Sequence, residues 1–172
     1  MRDMVLSVTA EFLRYRALAE QAMAQVSDEA LSAGEGGNNS ISQLAWHVSG
    51  NLESRFTDFR TSDGEKPWRR RDDEFVPRVV TRAELRQRWD RGWQALVAAL
   101  GDLSDDDLAA TITVRRQPIP IHEALHRSLA HVSYHVGQIV YIAKALQHER
   151  WQGLSIPLGQ SDAYNANPDP AR

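Results

Sequence analysis

The chain has 172 residues, a formal net charge of −3, and 42 % hydrophobic and 25 % charged residues, which fits one globular domain able to bury a core unaided. Its slightly acidic balance argues against a nucleic-acid partner, which calls for a basic excess. It holds no cysteine, which excludes disulfides, thiolate ligands and a cysteine nucleophile, so any thiol chemistry must use a thiol from a second molecule.

The opening stretch MRDMVLSVTAEFLRYRALAE is charged and amphipathic. It lacks the continuous apolar run of a signal peptide or a membrane span, so the expectation is a cytoplasmic protein with no membrane partner. Val5, Val8, Phe12, Leu13 and Ala19 recur at helical spacing and predict a first helix over residues 4–23. The Gly- and Asn-rich segment SAGEGGNN breaks it. A second helix is predicted from Ser40, which has capping-box spacing to Gln43, through Leu44, Val48, Leu52, Phe56 and Phe59. A third starts at Thr81, with Glu84 three residues on, and carries Leu85, Trp89, Trp93, Leu96, Val97 and Leu100. A fourth follows Pro118 and Pro120 and runs to about Gln147, with Gly101 and Gly153 as stop signals past the third and fourth helices.

Between the last two helices, LSDDDL predicts a short helical turn and the β-branched TITV a strand fragment. Residues 61–80 form an unusually long link between helices two and three. Its length suits a crossover in a four-helix bundle, and Trp68 and Phe75 predict that it is ordered against the helices. The domain is expected to span residues 1–165, with 166–172 a flexible tail.

Four of the six histidines fall on helix four, as the pairs His122/His126 and His131/His135. Each i, i+4 pair shares a helix face. At 100° per residue the two pairs point about 180° apart, so only one can serve a given site. His131 and His135 flank the apolar stripe Leu125, Leu129, Val132, Val136 and Ile139, and His47 flanks that of helix two. Three imidazoles on the rims of two packed stripes can converge on one divalent ion and leave coordination positions open. A bare HxxxH also fits ordinary, locally bonded polar residues. Gln138 and Asn51, each close to a histidine in projection, are expected to orient imidazoles or water. Trp68, Arg69, Arg70 and Arg71 are able to bind an anion, but Asp72, Asp73 and Glu74 follow at once, and this run predicts mutual ion pairs on a solvated loop. Trp46, Trp89 and Trp93 are read as core.

QLAWHVSGNLESRFTDFRTSDGEKPWRRRDDEF and LAHVSYHVGQIVYIAKAL together resemble the DinB/YfiT-like superfamily, and the DGEKPWRRRDDEF loop resembles a functionally uncharacterised subgroup of it. The resemblance implies an all-α four-helix bundle of up-down-down-up topology, often dimeric. It also implies a metal site at the positions of His47, His131 and His135. Some relatives outside the subgroup are thiol-dependent transferases or isomerases. The resulting expectation is a metal-dependent enzyme holding one divalent transition ion, zinc or nickel. It would act on a small-molecule substrate, with S-transfer from a low-molecular-weight thiol as the leading reaction. Hydrolysis by activated water, or a non-catalytic stress or binding role, stand as alternatives. A homodimer is expected through the small-residue stripe Ala130, Ser133 and Gly137; packing of that stripe within the bundle is the alternative.

Overall fold

The computed structural model describes residues 3–34 and 37–168. Among them lie six α-helices: α1 (Met4–Ala24), α2 (Asp28–Ser32), α3 (Ile41–Phe56), α4 (Arg82–Gly101), α5 (Ile121–Gln147) and α6 (Ser161–Ala166). The four predicted helices correspond to α1, α3, α4 and α5. Helix α3 packs along α4 and α1 along α5, while α3 also meets α5. No described helix is long and apolar enough to cross a membrane.

Local chemistry sets the helix starts. Ser40 and Gln43 form a reciprocal capping box at α3, and Thr81 and Glu84 form one at α4; each such cap is worth about 1 kcal/mol. Pro120 directly precedes α5, whose first turn needs no amide from it. The apolar stripes then bury Phe12, Leu44, Val48, Leu52, Trp89, Trp93, Leu96, Leu125 and Ile139 in a single core. Gly92 permits the close crossing of α3 and α4: a Cβ there would lie 2.5 Å from the Ser49 carbonyl oxygen.

Two helix boundaries differ from expectation. Helix α3 ends at Phe56, so the buried Phe59 belongs to the following turn. Gly101 is the last residue of α4 and not past it. The short helices α2 and α6 carry no long periodic stripe and were not predicted. The expected tail begins inside α6, and its residues 169–172 lie outside the described set.

The fold is mostly helical, but TITV is one arm of a hairpin and so departs from a purely α architecture. Strand β1 (Thr111–Val114) pairs antiparallel with β2 (Gln117–Pro120), Ile112 opposite Ile119. Both isoleucines are buried in the core. Arg115 and Arg116 form the two-residue turn at φ 53° and 61°, the left-handed pair that a type I′ hairpin needs. Asp63 accepts from the backbone N–H of Arg115 (2.8 Å) and of Arg116 (2.7 Å). The Gly64 N–H donates to the Thr113 carbonyl at 2.8 Å. The start of the 61–80 crossover is thereby tied to the hairpin.

The crossover is ordered, and only in part by the residues expected. Trp68 is 50 % exposed and Phe75 only half-buried. Its buried anchors are largely polar: Lys66 and Glu74 are buried, along with the apolar Val80 at its end, and a 3-10 turn at Asp72–Phe75 carries Glu74 inward against α3.

Candidate metal centre

His47 lies on α3 and the His131/His135 pair on α5. Where the two helices meet, one ring nitrogen from each histidine falls within 4.8 Å of the other two. His47 Nε2 and His131 Nε2 are 3.0 Å apart. Two imidazole nitrogens on one tetrahedral ion lie roughly 3.3 Å apart, given metal–nitrogen bonds of about 2.0–2.1 Å. His47 is 4 % exposed and His135 9 %. The three histidines can hold a metal ion.

The neighbours of the rings show whether they fit that role. His47 Nδ1 lies 2.8 Å from Glu74 Oε2. A carboxylate only accepts, so Nδ1 carries the proton and Nε2 keeps its lone pair facing His131. His135 Nδ1 donates to the Gln138 amide oxygen at 2.8 Å, which frees its Nε2 likewise. Such outer partners fix the tautomer and ring angle that a metal needs. His131 differs, because its Nδ1 is buried without a partner. Asn51 lines the adjacent cavity beside His47, but among the described residues it makes no hydrogen bond to an imidazole. The pair His122 and His126 is exposed and away from the triad; His122 Nδ1 bonds the Leu108 carbonyl.

The surroundings disfavour the charged forms of His131 and His135. Burial, followed by the charges of His135, His47, Arg69 and Arg55, pushes His131 down to about 3. Burial likewise lowers His135, with His47 and Arg71 adding to the effect and Gln138 opposing it. Neutral imidazole is the form that binds metal. For Glu74, burial pulls upward, but hydrogen bonds from His47 and Arg69 outweigh it and hold the carboxyl below its ordinary range.

Glu74, Arg69 and Gly50 are the members of the site that the sequence did not single out. Arg69 grips Glu74 with two parallel bonds of 2.9 Å, Nε to Oε1 and Nη2 to Oε2. Their side chains are 2 % and 5 % exposed. The run of arginines and acids therefore divides: Arg70–Asp73 and Arg71–Asp72 are surface pairs as expected, while Arg69–Glu74 is buried structure. Gly50 makes room for it, since a Cβ there would meet Glu74 Oε1 at 2.2 Å. Phe75 packs on the His47 ring at 4.5 Å between centroids.

A cavity of about 390 Å³ borders the triad, lined among others by His47, Asn51, Phe56, Ile112, Ser128 and His131.

A family model described as "Protein of unknown function (DUF1572)" matches residues 1–160. The chain belongs to that family. No curated protein and no solved structure matches it. The matched span takes in every residue of this DUF1572 centre, from His47 and Glu74 to His135 and Gln138.

Proposed function

We propose that this DUF1572 protein is a metal-dependent enzyme in which His47, His131 and His135 hold one divalent ion, zinc or nickel, and that it transfers the sulfur of a small thiol to an electrophilic substrate. The observation that carries the reading is the convergence of three imidazoles, two with Nδ1 committed to oxygen acceptors, at the edge of a small-molecule-sized cavity. A bound ion would supply Lewis acidity and favour the ionised form of a nucleophile beside it.

The choice of nucleophile follows from the chain's own residues. None of the residues lining the cavity is a carboxylate. The nearby Glu74 is fully engaged by His47 and Arg69. Metal-assisted hydrolysis commonly relies on a carboxylate general base beside the ion, whereas a thiol has a pKa near 8.5 and ionises with little help. In the reaction proposed, the thiol proton leaves to solvent, the sulfur forms a new bond to carbon, and the leaving group departs with its bonding pair. Phe56 and Ile112 supply an apolar wall for the substrate. The cytoplasm, where small thiols stay reduced, is the setting we propose.

The same reading takes the likeness to the DinB/YfiT-like superfamily as support for an up-down-down-up bundle and for a homodimer. Ala130 and Gly137 are exposed, and a Cβ at Gly137 would meet nothing within 4 Å. Ala130 and Gly137 thus leave room for a second copy on this face, while Ser133 is half-buried.

Elemental analysis tests the metal, and turnover of a small thiol with an alkyl or aryl electrophile tests the reaction. One ion per chain is expected, lost in His47→Ala and His131→Ala and kept in His126→Ala, with turnover following the metal. Metal that survives both substitutions refutes the site. Stoichiometric metal with no rate above the metal-free protein refutes the enzyme and leaves a binding role.

A further inference from the structure

The cavity beside the triad has a pronounced charge character. Five arginines line it: Arg55, Arg69, Arg71, Arg115 and Arg127. They come from α3, the crossover, the hairpin turn and α5, so the fold gathers them from four separate segments. Their carboxylate partners are too few to cancel them. Arg55 and Arg115 share one acid, Glu65, each at 3.0 Å. Arg69 is matched by Glu74. The remaining two have only loose surface partners, Arg71 with Asp72 at 3.5 Å and Arg127 with Glu123 at 4.0 Å.

Two polar atoms in this lining are also without a partner. Arg69 spends Nε and Nη2 on Glu74, and its Nη1 is buried without a partner although the side chain is only 2 % exposed. His131 Nδ1 is buried and unpartnered as well. When His131 Nε2 binds an ion, Nδ1 carries the ring proton and becomes a second orphan donor. A buried donor left without an acceptor is costly, and the acceptor missing from the protein is one that a ligand can bring. The hairpin tip adds to the case: Arg115 is held at φ 53° by Asp63 and reaches the cavity from a turn position that favours Asn or Gly.

We propose that this cavity selects a small substrate bearing an oxyanionic group, a carboxylate or a phosphate-type group, held by Arg69, Arg55 and Arg115 next to the metal face of the triad. Guanidinium forks match such groups in shape as well as charge. The proposal deepens the metal-enzyme reading and rests on it for the position of the reacting end.

The test uses thiols of the same two-carbon spacing that differ only at the far end: mercaptopropionate, mercaptoethylphosphonate, neutral mercaptoethanol and cationic cysteamine. Binding to the cobalt-substituted protein is followed by the sulfur-to-metal absorption band. At least one anionic thiol should bind about tenfold or more tighter than mercaptoethanol, an advantage of about 1.4 kcal/mol, and cysteamine should bind weakest. The stronger of the two anionic thiols identifies the group. Arg115→Gln, on an exposed turn, should cut the anionic preference at least about threefold and leave mercaptoethanol affinity unchanged. Equal affinities, or a preference for cysteamine, overturn the proposal. A metal-free arm separates this from failure of the metal reading: calorimetry on the stripped chain with propionate and methylphosphonate against propionamide. If cobalt does not bind but an anion does, the metal assignment falls and the anion site stands. If neither anion outcompetes propionamide and the thiol series is flat, the anion site falls whatever the metal does.

Discussion

Replacing Glu74 by Gln probes the centre without touching a ligand. The side chain keeps its shape and loses its charge and one acceptor oxygen. In the native arrangement Glu74 accepts from His47 Nδ1 at 2.8 Å and from Arg69 Nε and Nη2 at 2.9 Å each. An amide can satisfy one side of that set only; its NH2 then faces a donor on the other. Breaking a buried ion pair by neutralising one member costs about 3–5 kcal/mol, and the bond that the amide retains puts this variant near the lower end, about 3 kcal/mol in the metal-free state. Loss of the carboxylate behind a metal-binding histidine weakens the metal by about 10–100-fold, or roughly 1.4–2.7 kcal/mol. Competition against a chromogenic chelator measures the second quantity, and urea unfolding of the stripped protein measures the first. His131→Ala, which removes a ligand outright, should lose metal entirely. If Glu74→Gln holds metal within threefold of the native protein and unfolds at the same urea concentration, the proposed roles of Glu74 are wrong.

Acid should destabilise the metal-free protein. His131 in the fold is held to about 3, whereas an unfolded histidine titrates near 6.5, so between these values the unfolded state binds the extra proton. Stability then falls as pH falls, by up to about 1.4 kcal/mol per pH unit from His131, with the lowered His135 acting in the same direction. Unfolding curves at pH 6.5 and 5 check this; His131→Gln should flatten the difference, and a native protein equally stable at both contradicts it. Trp68→Ala should cost about 2 kcal/mol, roughly half of what a fully buried aromatic contributes by area, because half of the side chain already faces water; a loss of about 4 kcal/mol or more in urea unfolding would show that the crossover leans on it after all. Gly137→Glu should convert a dimer to a monomer by light scattering with its circular dichroism unchanged, since nothing in its own chain meets a Cβ there; a native protein that is already monomeric removes the dimer proposal.

The long helices were legible because their signals are local. Ser40/Gln43 and Thr81/Glu84 lie three residues apart, and both capping boxes form. The imidazole positions were legible for a related reason: helical projection offers an i, i+4 pair and a rim position on a second stripe, although the same spacing also fits ordinary polar residues. What lies behind the imidazoles was not. Glu74 is 27 residues from His47 and sits in a charged run whose composition matches any solvated loop. Only its packing separates it from Asp72 and Asp73. Gly50 was the available clue, since a glycine inside a helix costs about 1 kcal/mol against alanine and such positions often mark a close approach, here that of the Glu74 carboxylate. Trp68 misled in the opposite sense. Aromatic content predicts burial, but beside Phe75 and Val80 this crossover is fastened by buried polar groups such as Glu74 and Arg69, which no hydrophobic pattern reports.

The centre draws on three segments that have no local reason to meet: α3 supplies His47, α5 supplies His131 and His135, and the crossover supplies Glu74 and Arg69. It exists only when all three are packed, so an ion bound there recognises the folded chain and not the unfolded one. Linkage then sets the size of the effect: at a free-metal concentration one hundred times the Kd, the fold gains about 2.7 kcal/mol. For a domain of this length each kcal/mol is worth roughly 2–4 °C, so the Tm should rise by about 5–11 °C. The gain should also reach the crossover itself. Arg70 and Arg71 are exposed there, offering trypsin two sites a few residues from Glu74. Cleavage at them requires the strap to lift, and lifting it withdraws the carboxylate from His47. Metal should therefore slow cutting at Arg70 and Arg71 by about the factor by which removal of Glu74 weakens the metal, 10–100-fold. A Tm that rises with metal while cleavage at these two arginines keeps its metal-free rate would place the ion away from the crossover and count against the centre described.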